Sequence, residues 1–369
     1  MTSLPTGGGN SLRVGPAAPN RTMRTLDFLV ERAFLPLAEN TWKSRHPVGQ
    51  VNRDLDVRIT AVEELGPDVR SLTFAAVDGK PLPAWFPGAH IDLVLPSGRL
   101  RQYSLNGPRS DKQHWRIAVR RIPREAGGGG GSIEVHGLEV GDEVVVRGPR
   151  EAFPFVFNPN GYLFVAGGIG ITPILPMLRR TARRGRVPWQ FVYTGRSRET
   201  MPFLDEISEI AGATRGAAER IHVWPDDERG TPDVREIIGL APLGASLYTC
   251  GPVAMIDAIR RVIPDPQIDS LHYERFSPPP VVAGRPFTIR FASDNTVLRV
   301  GANETALTAV RRARPDQAYS CQQGFCGTCK VRVLEGSVQH RDRKLADYER
   351  ESHMLLCVSR AAGELVIDA

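Results

Sequence analysis

The sequence predicts a multidomain fold: a small antiparallel β-barrel, then a doubly wound α/β domain, then a compact α+β domain at the C-terminus. Three observations carry this reading. From about 51 to 157, short runs of alternating apolar and polar residues are separated by glycine and proline turns. After 158 the pattern changes to apolar strands alternating with helical stretches, and the first strand runs directly into Gly167-Gly168-Ile169-Gly170. Near the C-terminus, Cys321, Cys326 and Cys329 stand at x4 and x2 spacing, with Cys357 far downstream.

A chain of 369 residues has room for two or three domains, and 41% apolar with 24% charged residues is an ordinary globular composition. The net charge of +6 is mildly basic. Its positive charges are scattered, with no patch interleaved by aromatics, which argues against nucleic-acid binding. No secretory leader pattern and no apolar run of transmembrane length is present, so the expectation is a cytoplasmic protein.

Residues 1–50 read as an N-terminal extension. Its first part is rich in Gly, Pro, Ser and Asn and is expected to lack fixed structure. Leu26, Leu29, Val30, Ala33 and Leu37 then recur at helical spacing, until Pro36 ends or kinks the helix. Docking on the main body is one role for such a helix and membrane-surface anchoring the other. Asp27, Glu31 and Glu39 on its polar face disfavour anionic lipid.

In the barrel, 51–157, strands are expected around Val57–Ile59, Ser71–Phe74, Ile91–Val94, Arg116–Val119 and Glu143–Val146. Arg101-Gln102-Tyr103-Ser104-Leu105 lies among them. On a strand, Arg101, Tyr103 and Leu105 would share one face and Ser104 the other. Arginine suits a phosphate, a tyrosine ring stacks on a planar heterocycle, and a hydroxyl can hydrogen-bond a ring nitrogen. The same pattern also describes a plain surface pair. Gly127 to Gly131, followed by Ser132, offers main-chain N–H groups to a phosphate, or else forms an open loop.

The second domain, 158–276, opens with Tyr162–Ala166 as a buried strand. The glycine turn follows, then Thr172 as helix N-cap and Pro173 at the first helical position. Strand, glycine turn and helix N-terminus together make an anion site suited to a pyrophosphate. Further strands are expected at Trp189–Thr194, Ile221–Trp224 and Ser246–Cys250, and Gly251-Pro252 then turns into a helix. Cys250 at a strand's C-terminal end is either a small buried hydrophobe or a contact to a nicotinamide ring. Arg196-Ser197-Arg198, after the second strand, could hold a ribose 2′-phosphate.

Residues 277–284 form a Pro-rich, stiff linker to the last domain, 285–369. There Phe287, Ile289 and Phe291 alternate, Ser293-Asp294-Asn295 turns into Val297–Val300, and Ala306, Leu307, Val310 and Ala313 mark a helix face. The cysteine loop comes next. The x4 and x2 spacing with a distant fourth cysteine matches the ligands of a plant-type [2Fe–2S] cluster, Cys321, Cys326, Cys329 and Cys357. Gly324 and Gly327 let the backbone curl around such a cluster. A structural zinc site would show two paired cysteine motifs, and disulfides belong to oxidising compartments.

The four landmarks, in this order over about 51–369, resemble the phthalate dioxygenase reductase family, which includes vanillate demethylase reductases. They are Arg101–Leu105, Gly167–Pro173, Cys250-Gly251-Pro252 and the four cysteines. The resemblance implies a flavin domain, an NAD(P)-binding domain and a β-grasp [2Fe–2S] ferredoxin domain. It implies that Arg101 and the Gly131-Ser132 corner bind the flavin phosphate and that Tyr103 stacks on the isoalloxazine. Ser104 would sit near flavin N5, within a flavin site that also takes in Gln102, Leu105 and Val119. Gly167, Gly168, Gly170, Thr172, Pro173, Gly251 and Pro252 would face the nicotinamide nucleotide, Cys250 the nicotinamide, and Phe276 the flavin. The glycine loop departs from the family in lacking a basic residue, and the N-terminal extension exceeds the usual family start.

The implied function is the reductase component of an oxygenase system. A nicotinamide yields two electrons together and a [2Fe–2S] cluster takes one, so a flavin must lie between them. FMN is expected, with FAD the alternative, because no adenine-binding segment is evident. NADH is the expected donor and NADPH the alternative. The acceptor is expected to be a terminal oxygenase, Rieske-type or haem-thiolate, and the chain to be monomeric. The competing class is a redox sensor or non-catalytic binding protein that keeps this architecture.

Overall fold

The computed structural model describes residues 54–126, 130–185, 187–263, 265–276, 281–315, 317–319, 322–324, 327–342 and 344–369. The N-terminal extension with its expected helix, glycines 127–129, residues 277–280 of the Pro-rich linker, and Cys321 and Cys326 lie outside the described residues.

Alternation of apolar and polar side chains builds the first sheet. β1 (Asp54–Glu64), β2 (Val69–Ala76), β3 (Ala89–Val94), β4 (Leu100–Ser104), β5 (His114–Arg120) and β6 (Glu143–Glu151) pair antiparallel in the order β4-β3-β6-β1-β2-β5. Each of the five expected strand segments falls inside one of these strands. Val57, Leu72, Phe74, Ile91, Leu93, Ile117 and Val146 point inward and are fully buried. Burial of side chains of this size contributes about 1.5–3 kcal/mol each. The two edge strands approach one another just beyond β4, where the Asn106 N–H donates to the Arg116 carbonyl at 3.0 Å. A five-residue helix, α1 (Gly131–Val135), adds Val135 to the barrel core.

The second sheet is wholly parallel. β7 (Tyr162–Gly167), β8 (Trp189–Gly195), β9 (Ile221–Pro225), β10 (Ala245–Cys250) and β11 (Ile268–Glu274) run in the order β11-β10-β7-β8-β9. Every residue of β7 and β10 is buried, as expected of central strands covered on both faces. On one face packs α2 (Ile171–Arg184), with Ile174, Leu175 and Leu178 in a core shared with Phe164 and Tyr248. α3 (Leu204–Ala213) contributes Ile207 to the same core. Between β9 and β10 lie α4 (Asp226–Arg229) and α5 (Val234–Gly239), and α6 (Val253–Val262) follows β10. Ile237 of α5 and Ile259 of α6 cover Leu163, Val165 and Leu247 on the other face.

One local expectation is corrected. Thr172 does not cap α2. A single 3₁₀ turn, Gly168–Gly170, leads from β7 straight into the helix, so Gly170 takes the cap position. Thr172 sits in the first helical turn and its hydroxyl donates back to the Ile169 carbonyl at 3.1 Å. Pro173 lies in that turn too, where its missing N–H costs nothing.

The third sheet is mixed. β12 (Phe287–Phe291), β13 (Val297–Val300), β14 (Lys330–Glu335), β16 (His353–Leu355) and β18 (Glu364–Asp368) run in the order β13-β12-β18-β14-β16, with β12 parallel to β18. β15 (Val338–Gln339) and β17 (Arg360–Ala361) form a separate small ladder. Across this sheet packs α7 (Ala306–Ala313), capped by the Thr305 hydroxyl, which accepts from the Thr308 N–H at 3.1 Å. A last short helix, α8 (Asp347–Arg350), precedes β16. The expected turn is present, with Asn295 at a φ of +58°. Buried Arg360 staples the domain by donating to the Glu304, Arg285 and Gly301 carbonyls at 2.6, 2.9 and 2.9 Å.

Candidate active site

A doubly wound sheet opens a crevice where the strand order reverses, beyond the strand C-termini. Here the chain leaves β7 towards β8 on one side and later returns to β10 on the other, so the reversal falls between Gly167 and Cys250. Glycine is required there by close approach. A Cβ on Gly170 would stand 2.2 Å from the Cys250 carbonyl oxygen, and one on Gly167 would stand 2.5 Å from Pro252 Cδ. Gly251 packs on the Gly167 backbone in the same way. The two expected nucleotide motifs therefore meet main chain to main chain.

The barrel wall faces this crevice across a cavity of about 230 Å³. Arg101, Gln102, Tyr103, Ser104, Val119, Gly131 and Ser132 line it from the barrel, Thr172 from α2, and Phe276 from the segment just after β11. The sequence reading did not single out Arg120, Ile122 and Ile169, which line it as well. Four consecutive residues of β4, an edge strand, reach the cavity, not alternate ones. Leu105 does not line it. It is fully buried in the barrel core, and its N–H donates to the Ala89 carbonyl at 2.9 Å.

Each wall residue is positioned by a distinct contact. Arg101 donates from Nη1 to the Leu100 carbonyl at 2.9 Å and passes over Gly131, where a Cβ would stand 2.2 Å from its Nε. Gln102 donates to Asp92 at 2.8 Å, and buried Asp92 also pairs with Arg150 at 2.9 Å. Burial holds the Tyr103 phenol well above its ordinary pKa. The Ser132 hydroxyl accepts from the Ile122 N–H at 3.0 Å. Arg120 crosses to the second domain and donates to the Thr200 carbonyl at 2.8 Å. Its guanidinium lies over Gly168, so it presents a cation at the glycine turn.

The residue that sequence reasoning missed most clearly is Glu274, the last residue of β11. Burial pushes its carboxyl up to about 8, against the opposing hydrogen bond from Ser104. Its Oε2 is buried without a hydrogen-bond partner among the described residues. Cys250, wholly buried beside it, has its thiol raised well above the ordinary value, by burial first and by Glu274 second. A glutamate at the end of the last strand, two residues before an aromatic, was the available signal.

Arg196 and Arg198 follow β8 at the far side of the crevice, outside the cavity. Arg198 grips both carboxylate oxygens of Glu228 on α4, at 2.7 and 3.1 Å. Arg196 accepts at its carbonyl from the Asp227 N–H at 3.1 Å.

Of the four expected metal ligands, Cys329 and Cys357 are described, and both are 2% exposed within the core of the third sheet. Their segments are joined where the Leu356 N–H donates to the Cys329 carbonyl at 3.2 Å. Gly324 and Gly327 have φ of +82° and +81°. A Cβ on Gly324 would stand 2.7 Å from Val358 Cγ2, beside Cys357. Two buried thiols and a left-handed glycine loop are a donor set that fits an iron–sulfur cluster. The first cavity has a lining that suits a flavin mononucleotide likewise: the Arg101 guanidinium, the Tyr103 ring and Phe276, which is half exposed.

Comparison with known proteins agrees with this geometry. Residues 290–362 match the 2Fe-2S iron-sulfur cluster binding domain family, and residues 164–261 the oxidoreductase NAD-binding domain family. The chain is 33% identical to the carnitine monooxygenase reductase subunit of Acinetobacter baumannii, over 84% of this chain and 96% of that protein. It is 32% identical to the phthalate dioxygenase reductase of Burkholderia cepacia, over 85% of this chain and 97% of that one. The solved structure of a phthalate dioxygenase reductase superposes with a TM-score of 0.63 at 31% identity, covering 86% of this chain and 98% of its own. An intact type IV self-sufficient cytochrome P450 monooxygenase superposes at 0.66 with 32% identity, but the chain spans only 41% of its length.

Proposed function

The chain belongs to the phthalate dioxygenase reductase family, and from that premise we propose how its residues carry electrons from NADH to an oxygenase. One observation carries the reading. A single cavity is walled at once by Arg101, Tyr103 and Ser104 of the barrel and by Thr172 of the nucleotide domain, with Phe276 at its edge.

Arg101 and the Gly131-Ser132 corner would hold the phosphate of FMN, and Tyr103 would lie along its ring. When bound, the flavin takes up a hydride's two electrons together and releases them singly, and a [2Fe–2S] cluster carries one at a time. The protein's residues set the conditions. The glycines at 167, 170 and 251 let the two nucleotide loops close against each other. Arg120 and the start of α2 offer positive potential to a pyrophosphate. Burial raises the Glu274 carboxyl to about 8 and the Cys250 thiol well above its ordinary value, which disfavours negative charge at these two strand ends. Cys321, Cys326, Cys329 and Cys357 would hold the cluster.

The acceptor is an oxygenase component, Rieske-type or haem-thiolate. The donor is NADH, because Glu228 already occupies the Arg198 fork that a 2′-phosphate would need. No helix among the described residues is long and apolar enough to cross a membrane. A monomer in the cytoplasm, where thiols stay reduced, completes the reading.

The test is an anaerobic absorption spectrum of the purified protein before and after NADH, with chromatography of heat-released flavin. Flavin and cluster bands that bleach, with FMN released, are the expected result. A colourless protein would defeat the reading, and released FAD would overturn the FMN assignment.

A further inference from the structure

The described residues on either side of Cys321 bond to main chain next to the cavity lining, at Leu100 and at Arg275. Two residues before that cysteine, Tyr319 is 7% exposed and its hydroxyl donates to the Leu100 carbonyl at 3.0 Å. That carbonyl is the one that also accepts Arg101 Nη1 at 2.9 Å. Leu100 packs its side chain against the core of the third sheet, so the first residue of β4 belongs to both domains. The Arg311 guanidinium lies 4.2 Å over the Tyr319 ring and holds it from behind. Two residues after Cys321, Gln323 donates from Nε2 to the Arg275 carbonyl at 2.9 Å. Arg275 sits between Glu274 and Phe276, and its own side chain is tied to Asp257 of α6.

We propose that Tyr319 and Gln323 are positioning residues that latch the cluster loop onto both walls of the flavin cavity, one on the strand bearing Arg101 and the other between Glu274 and Phe276. This rests on the electron-transfer reading above. The latch explains why the loop uses side chains long enough to reach main-chain carbonyls. Carbonyl acceptors do not depend on a neighbour's rotamer, so the seating of the loop depends on the Tyr319 and Gln323 side chains alone. Each NADH supplies two electrons, which leave singly through the loop. The transfer rate then depends on how firmly that loop is seated.

Tyr319→Phe removes one hydroxyl, and Gln323→Leu removes one amide at similar volume. Neither residue lines the flavin cavity, so reduction of ferricyanide by NADH should stay within about twofold and the KM for NADH should not move. Cytochrome c reduction in the double variant should fall several-fold, because electron transfer weakens steeply as the two sites separate. Independently of turnover, amide hydrogen exchange should rise in segments 100–105 and 271–276. A double variant with parental exchange and parental cytochrome c reduction overturns the latch. If the double variant loses iron, Tyr319→Phe alone decides by exchange in 100–105, and unchanged exchange there counts against the proposal. Parent protein without flavin or iron would defeat the functional reading instead. Its exchange pattern would still test the latch.

Discussion

Cys250 and Glu274 are register partners on the adjacent parallel strands β10 and β11, and Glu274 makes the Cys250 thiol harder to ionise. Burial is the larger cause for both. The pair ends two strands at the crevice mouth, with the Ser104 hydroxyl bonded to the glutamate from the barrel side. The barrel and the parallel sheet are thus joined at this carboxyl as well as through Arg120 and Thr200.

That carboxyl makes stability depend on pH in a defined direction. Its folded pKa of about 8 lies above the ordinary 4.5, so folding takes up a proton wherever the unfolded chain would have lost it. Below about pH 4.5 the group costs nothing. The cost grows between there and about pH 8 and is constant above. Glu274→Gln should therefore gain Tm relative to the parent as pH rises through that window, with a flat difference beyond it. Parallel melting curves at every pH would show an unperturbed carboxyl.

Two glycine substitutions should separate binding from folding. On Gly131, an added Cβ meets only the Arg101 side chain, which can swing away. Gly131→Ala should keep its fold and bind flavin about tenfold or more weakly, the scale of one charge-assisted hydrogen bond. On Gly170, the Cβ meets the Cys250 carbonyl and the Gly251 nitrogen, which are backbone and cannot yield. Gly170→Ala should lower Tm sharply in both apo and loaded protein. Equal losses of stability in the two variants would contradict this division.

Much of this was legible because it is local. Strand alternation in the barrel, the glycine turn after β7 and the cysteine spacing are each written within a few neighbouring residues. The α7 face at Ala306, Leu307 and Val310 followed from helical period alone. What escaped depends on contacts between distant segments. Glu274 is remarkable only for its neighbours Cys250 and Ser104, and Tyr319 only because it reaches Leu100 from 219 residues away. Arg198 looked available for a phosphate, and only the fold brings Glu228 to it. The placement of Thr172 failed for a smaller reason: a 3₁₀ turn of glycines makes the cap that a hydroxyl was expected to make.

The Arg198–Glu228 pair leads to a prediction about the nicotinamide donor. Both side chains are about half exposed, so the pair is screened by water and readily broken. NADPH should be a poor donor that is not wholly excluded. Glu228→Gln should free the guanidinium fork and raise kcat/KM for NADPH several-fold, leaving NADH nearly unchanged. Steady-state comparison of the two donors checks this, and an equal fall with both would place Glu228 in a purely structural role.

Cys357→Ser tests the electron exit. Cys357 is 2% exposed among Met354, Leu355 and Leu356, and the Leu356 main chain links it to Cys329 on one side and to Leu307 of α7 on the other. Serine is nearly isosteric, so packing survives, but its hydroxyl is far less acidic than a thiol and a poorer iron ligand. The barrel and the parallel sheet have cores built from other residues, so damage should stay in the third domain. Iron content should therefore fall, with flavin retained and its reduction by NADH near normal. Ferricyanide, which oxidises flavin directly, should still turn over, and cytochrome c should not. If Cys357 were only a core residue, serine would lower Tm and leave iron in place. Normal iron together with normal cytochrome c reduction would remove Cys357 from the ligand set, and the cluster assignment built on the four cysteines would fail with it.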